Sequence, residues 1–139
     1  LGLLSGVYMK GKWPLTTPKL NQVLLEILRH PEVHLTYERM IAQQGHCVWD
    51  EIFPPTNIKI RVDANQQTGE IDHIGTVVHE LLHIVVFPLS LGRFSDDLDE
   101  TLTLALDAHM LAYIRKSSKR LQTWTEAINT KLQKENPPQ

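Results

Sequence analysis

Asp72-His73-Ile74-Gly75-Thr76-Val77-Val78-His79-Glu80-Leu81-Leu82-His83-Ile84-Val85-Val86-Phe87 is the stretch that decides what kind of chain this is. Its Val and Ile content half supports a buried strand, on which His79 and His83 would stand about 13 Å apart at roughly 3.3 Å per residue. On a helix, residues four apart are neighbours with β-carbons about 6 Å apart, close enough for both imidazoles to reach one ion. The length of the segment favours the helix. Asp72 is the expected cap, Ile74, Val77, Val78, Leu81, Leu82 and Val85 the apolar positions, and Pro88 the stop, with a loop through Gly92 to Ser95.

Within that helix, His79-Glu80-Leu81-Leu82-His83 is the pattern His-Glu-x-x-His, which chance produces on the order of 0.02 times in a chain of this composition. The plain alternative is a core helix with two incidental histidines. A catalytic zinc takes three protein ligands and keeps a fourth position for water. A continuation with Gly and a third His is absent, since Val86 and Leu89 stand at those positions. Glu100, at the head of the next apolar helix, is the better third ligand. Asp107 lies two turns later on the same face, where it can hold the far nitrogen of a histidine ligand. Glu100 also has a bland reading as the capping-box partner of Asp97. Asp96, Asp97 and Asp99 are further oxygen donors. His109 projects roughly opposite Glu100, His73 lies off the His79/His83 face, and His30, His34 and His46 have no partner spacing.

The rest of the chain sets bounds on the function. A length of 139 residues and a hydrophobic fraction of 42% describe one soluble globular domain spanning 1–139. A net charge of −2 disfavours nucleic acid as the main partner, because phosphate neutralisation needs a basic excess. With Cys47 as the sole cysteine, no intrachain disulfide and no multi-cysteine zinc site can form. The longest apolar run, Ile84 to Phe87, is too short for a membrane span. The expectation is a soluble protein, cytoplasmic in preference to secreted. The chain opens on Leu1 rather than Met, which fits a processed product or a piece of something longer and leaves localisation open.

Outward from the motif, Ile58, Ile60 and Val62 alternate with Lys59, Arg61 and Asp63, as on a strand with one buried face, followed by a turn over Asn65–Gly69. Residues 33–37 read as a short strand, with a helix over 37–44 as the alternative. Thr17-Pro18 signals the start of an amphipathic helix carrying Leu20, Val23, Leu24, Ile27 and Leu28, which ends before His30-Pro31. Residues 1–16 read as an arm. The helix after Ser95 is apolar on most sides through Ile114, which predicts burial. A basic C-terminal helix over 115–136 keeps a stripe of Leu121, Trp124, Ile128 and Leu132.

Strand, turn, His-Glu-Leu-Leu-His helix and a second helix with an early Glu resemble the zincin metallopeptidases, and a Glu third ligand is similar to their gluzincin-like group. The resemblance covers roughly residues 56–114, and the five-residue motif is its one sharply specific element. It implies a compact α+β domain, predominantly helical, with a short mixed sheet packed on the motif helix. It also implies Zn2+ as cofactor and a metalloendopeptidase acting on a protein or peptide substrate. His79, His83 and Glu100 match the ligands and Glu80 the general base, while Ile58–Val62 resembles the edge strand along which substrate aligns. In the family an Asp commonly follows the ligand Glu by one turn. Here Leu104 holds that place and the acid appears at Asp107. Tyr113, His109, Tyr37 and Arg93 are the residue types available to stabilise an oxyanion. Two other classes compete: a catalytically silent, zinc-stabilised protein-binding module, and a metal-free interaction domain that docks a protein partner through the C-terminal helix around Trp124. For that helix the plain reading is a solvated face packed on its own domain.

Overall fold

A computed structural model describes residues 16–37, 45–50, 56–63, 70–90 and 95–135. The expected arm over 1–15, the alternative helix beyond Tyr37 and the turn over 65–69 lie outside the described residues. So do positions 91–94 of the expected loop. The described residues form an α+β arrangement of four helices and a three-stranded mixed sheet, with helix predominant.

Helix α1 (Thr17–Arg29) is capped one residue earlier than Thr17-Pro18 suggests: the Thr16 side chain accepts from the Lys19 N–H at 3.4 Å, with Pro18 inside the first turn. A proline there gives up an N–H that no intrahelical carbonyl would receive. Its stripe of Leu20, Leu24, Leu25, Ile27 and Leu28 is buried.

Strands β1 (Val33–Tyr37), β2 (Gly45–Asp50) and β3 (Thr56–Val62) lie in the order β1-β3-β2. β1 runs parallel to β3 with Leu35 opposite Ile60, and β2 runs antiparallel to it with Cys47 opposite Ile60. Ile58, Ile60 and Val62 are fully buried while Asn57 and Lys59 are exposed, as the alternation requires. The expected edge position of Ile58–Val62 is wrong, because β3 is the central strand. Alternation reports that one face is buried, and both central and edge strands of a one-faced sheet satisfy it. Among the described strands, β1 and β2 are the edges.

Helix α2 (Glu70–Ser90) starts two residues before Asp72, which stands at the third helical position and not at the cap. It continues through Pro88, whose missing donor costs one backbone bond without preventing the last two residues from completing the turn. From residue 73 to 86 every side chain is buried except His73, His79 and His83. The sheet, through β2 and β3, packs on this helix.

Helix α3 (Asp96–Arg115) is capped by Ser95, whose hydroxyl accepts from the Leu98 N–H at 3.2 Å, so Asp97 and Glu100 form no capping box. It lies against α2, and a β-carbon on Gly75 would come within 3.2 Å of Leu111 Cδ1, so glycine permits the close approach. The expected burial of α3 is corrected: it buries Thr103, Met110 and Ile114, but leaves Leu98, Leu102 and Leu104 at 44%, 36% and 53% exposure. One face finds partners among the described residues and the other does not.

Helix α4 (Ser118–Glu135) is separate from α3, with Lys116 and Ser117 between them. Trp124 is fully buried and donates from Nε1 to Asn21 Oδ1 at 2.8 Å. Ile128 and Leu132 join the same core. The buried Lys131 ammonium donates to the His30 and Val33 carbonyls, each at 2.9 Å, tying α4 to the entry of β1. The apolar stripe around Trp124 is thus spent inside the fold and is not a free surface for a partner.

Candidate metal centre

The site is made by two helices. On α2 the four-residue spacing sets His79 and His83 side by side, ring centroids 4.9 Å apart and planes at 86°. Between residues 73 and 86 only these rings and His73 are not buried, and the two rings are 17% and 19% exposed. The first turns of α3 bring Glu100 across from them: His79 Nε2 is 3.1 Å from Glu100 Oε1, and His83 Nε2 is 3.2 Å from Glu100 Oε2. One ligand atom from each of the three residues lies within 4.8 Å of the others.

The opposite nitrogen of each ring is held by another acid of α3. His83 Nδ1 stands 2.8 Å from Asp99 Oδ1, which also accepts from the Thr103 hydroxyl at 3.2 Å. His79 Nδ1 lies 3.4 Å from Asp107 Oδ2, while Asp107 Oδ1 is buried without a hydrogen-bond partner. When the rings are neutral and their Nδ1 protons face Asp99 and Asp107, each Nε2 presents a lone pair toward a carboxylate that is itself an acceptor, whereas a protonated ring donates to it. Two acceptors at 3.1–3.2 Å repel unless a cation or a proton lies between them. Bonds of about 2.1 Å in a tetrahedral zinc site imply ligand-to-ligand edges of roughly 3.4 Å, near those separations. The three residues could therefore hold a metal ion, and two imidazoles with one carboxylate are donor types that zinc accepts.

Pairing with Asp107 raises the His79 pKa above its ordinary value against the opposing effect of burial, and the charges of Glu80, Glu100 and Asp107 add to the rise. Glu80, only 8% exposed, has its carboxyl pushed up by burial, partly offset by His83 and His79. Strand β2 passes close to it. A β-carbon on Gly45 would meet Thr76 Cγ2 at 2.6 Å and Glu80 Oε1 at 3.3 Å. Only glycine lets the strand run over Glu80 at that distance. Burial, reinforced by the Glu80 charge, also drives the Cys47 thiol pKa far up, which keeps it neutral and unsuited to nucleophilic work.

The structure brings together His79, His83, Glu100 and Asp107, and Glu80 lies near enough for the charges of His83, His79, Glu100 and Asp107 to act on its carboxyl. It does not bring the two oxyanion candidates on α3. His109 is exposed and its Nε2 lies 2.8 Å from Thr17 Oγ1, about 13 Å along the helix from Glu100 at 1.5 Å per residue. Tyr113, about 20 Å along, lies under the Arg120 guanidinium at 3.7 Å. Helical phase already set His109 roughly opposite Glu100, and it sets Tyr113 well round the helix too, so residue type alone had kept them as candidates. The Arg93 position and the Tyr37 side chain lie outside the described residues. Asp96 and Asp97 are exposed and outside the cluster. His73 is held below its ordinary pKa by burial. Sequence reasoning counted Asp99 only as a spare ligand and missed Thr103. Their signal is the Asp99/Thr103 spacing of four, which stacks a hydroxyl on the carboxylate that flanks Glu100.

Compared with protein-family models, curated proteins and solved structures, the chain matches none.

Proposed function

We propose that this chain is a zinc-dependent peptide hydrolase in which His79, His83 and Glu100 hold the ion and Glu80 is the general base. The observation that supports this reading is the convergence of two Nε2 atoms on one carboxylate while both Nδ1 atoms are engaged by separate acids. A helix pair packed only for stability has no need of that arrangement, and it leaves acceptors facing each other.

Zinc, when bound, polarises a carbonyl and lowers the pKa of water to about 7. Asp99 and Asp107 keep the imidazole lone pairs aimed inward by holding the Nδ1 protons. Glu80 takes a proton from the attacking water as the C–O bond forms and delivers it to the amine nitrogen as the C–N bond breaks. Its raised pKa makes it a stronger base near neutrality than an exposed carboxylate. The substrate is a protein or peptide in extended form, added along β2 and not β3, because β2 is the antiparallel edge whose Gly45 adjoins Glu80.

A second reading, a zinc-held protein-binding module without turnover, is favoured by one observation: neither His109 nor Tyr113 reaches the cluster to stabilise an oxyanion. One experiment separates them. Zinc content and cleavage of an unfolded protein pool are measured for the parent and for Glu80→Gln. The hydrolase reading expects about one zinc in each and a loss of about 10²–10⁴-fold in cleavage for the variant. Equal cleavage removes Glu80 from the mechanism. Zinc without cleavage in either protein leaves the binding module, and less than about half an equivalent of zinc excludes both.

A further inference from the structure

Helices α1 and α4 run in the same direction: Trp124 meets Asn21 and, two turns on, Lys131 meets the carbonyl of His30 just past the end of α1. Between the last turn of α1 and the flank of α4 lies a groove of about 270 Å³, lined by Arg29 from α1 and by Glu126, Ala127, Thr130, Lys131 and Lys134 from α4. Glu126, Thr130 and Lys134 form one row at four-residue spacing, and Ala127 and Lys131 form the next. The small side chain of Ala127 leaves room above it.

Charge is uneven along the groove. Lys131 is a cation carried into its floor, only 7% exposed, while Arg29, Thr130 and Lys134 stand exposed at its rim. The one acid, Glu126, accepts from Gln122 at 3.1 Å. Arg29 adjoins His30, so it is level with Lys131; Glu126 lies about 7.5 Å before that level along α4 and Lys134 about 4.5 Å beyond it. Three cations therefore gather at the end away from Glu126.

Cations in the last turn of a helix ordinarily answer its free carbonyls. At the end of α1 the buried Lys131 ammonium takes that role, donating to the His30 and Val33 carbonyls. Among the described residues, the side chains of Arg29 and Lys134 have no ion pair or hydrogen bond. A cleft lined by one sign of charge with a low-dielectric floor concentrates counter-ions. The donors suit phosphate oxygens: a two-pronged guanidinium, an ammonium point charge and a hydroxyl between them. Ligand pockets usually begin near about 300 Å³, so the occupant carries few atoms beyond the phosphate.

We infer that this groove is a binding site for a small phosphate-bearing molecule, held by Arg29, Thr130 and Lys134 over the buried Lys131. The site shares no residue with the metal cluster and does not depend on it.

Titration of the full chain with inorganic phosphate at constant ionic strength, followed by amide chemical shifts in NMR and matched against sodium chloride, tests the inference. Amides within 29–33 and 127–134 are expected to shift and to saturate in the millimolar range or below. Arg29→Ala combined with Lys134→Ala, both exposed positions, is expected to weaken binding by about 10-fold or more. Thr130→Glu sets a carboxylate where the phosphate would sit; it is expected to abolish the titration with the helices intact, and it decides the matter if the double variant does not fold. Shifts that fail to saturate in the millimolar range, or that chloride reproduces, overturn the inference. Saturating shifts centred on His79, His83 and Glu100 overturn it too, by placing the phosphate at the metal cluster, as does binding that the variants retain.

Discussion

Glu100→Gln reports directly on the acceptor conflict at the centre of the site. In the metal-free chain with neither Nε2 protonated, the Glu100 carboxylate faces two imidazole lone pairs at 3.1 and 3.2 Å. A glutamine amide can donate to one of them. A new hydrogen bond contributes about 0.5–1.5 kcal/mol, reduced to about 0.5–1 here because Glu100 is half exposed and solvent already screens the conflict. With zinc the order reverses. Loss of a direct anionic ligand costs at least the 10–100-fold in affinity typical of a residue one step further out, so about 100-fold is a fair lower figure. At a zinc concentration of 100 times the parent dissociation constant, the ion stabilises the parent by about 2.7 kcal/mol and the variant by about 0.4. The variant then trails by about 1.5 kcal/mol net. For a chain of this size 1 kcal/mol moves Tm by about 3–4 °C. Calorimetric melts at pH 8.5 should therefore show the variant about 2–4 °C above the parent in chelator and about 4–6 °C below it in zinc. Acid supplies an internal control. The raised pKa of His79 means that its proton contributes stability in full below the ordinary value near 6.5, and that this contribution is lost as pH rises through the raised one. At pH 5.5 the parent has a cation between the acceptors, and the chelator advantage of the variant should vanish or invert. A Tm shift of the same sign with and without zinc refutes the argument and returns Glu100 to an ordinary helix-surface role.

Three further outcomes follow from the same geometry. Asp99→Ala should weaken zinc binding more than Asp107→Ala, both within about 10–100-fold, because the Asp99 contact is 2.8 Å and braced by Thr103 whereas the Asp107 contact is 3.4 Å. Competition titration against a chromophoric chelator ranks them, and the reverse order counts against the orienting roles. Glu80→Gln should stabilise the metal-free protein at neutral pH. The parent's raised Glu80 pKa means its stabilising contribution is present below about 4.5 and lost as pH rises through the folded value; urea midpoints that coincide at pH 4 and at pH 7.5 would contradict it. Gly45→Ala should cost about 1–3 kcal/mol through its clash with Thr76 Cγ2. Adding Thr76→Ser deletes that methyl and should restore part of the loss in thermal melts, which a general loosening of β2 would not do.

How much of this was legible in the residues depends on which interactions are local. His79 and His83 could be joined on a helix because spacing and period are properties of one segment, and α1 and β3 were readable for the same reason. Strand β2 was not, since His46-Cys47-Val48-Trp49 is too short to show a period and becomes a strand through its pairing with β3. The central position of β3, the exposed outer face of α3 and the remoteness of His109 and Tyr113 depend on what lies opposite each element, and nothing in a single segment encodes that. The cap at Thr16 in place of Thr17, and a start at Glu70 where a cap at Asp72 implies 73, are shifts of one and three residues at helix starts, where assignments are least fixed. The acids were visible as types. Asp99 gained its role only when α3 was placed so that its flank met His83.

The same placement ties metal affinity to helix packing. Every cluster residue beyond His79, Glu80 and His83 lies on α3, yet α3 buries only Thr103, Met110 and Ile114 and keeps to α2 through close contacts such as Gly75 against Leu111. It has the fewest buried side chains of the four described helices. Binding energy at an ion shared by α2 and α3 therefore acts as docking energy for α3, since neither helix alone offers three ligands. Removing zinc should speed amide exchange in α3 by about 10-fold or more, while α1, α4 and the sheet, which bury more side chains in the shared core than α3 does, change little. Uniform acceleration across all elements would mean that the ion, if bound, supports the whole fold and not this one contact. No change in α3 would mean that the two helices are held together without it.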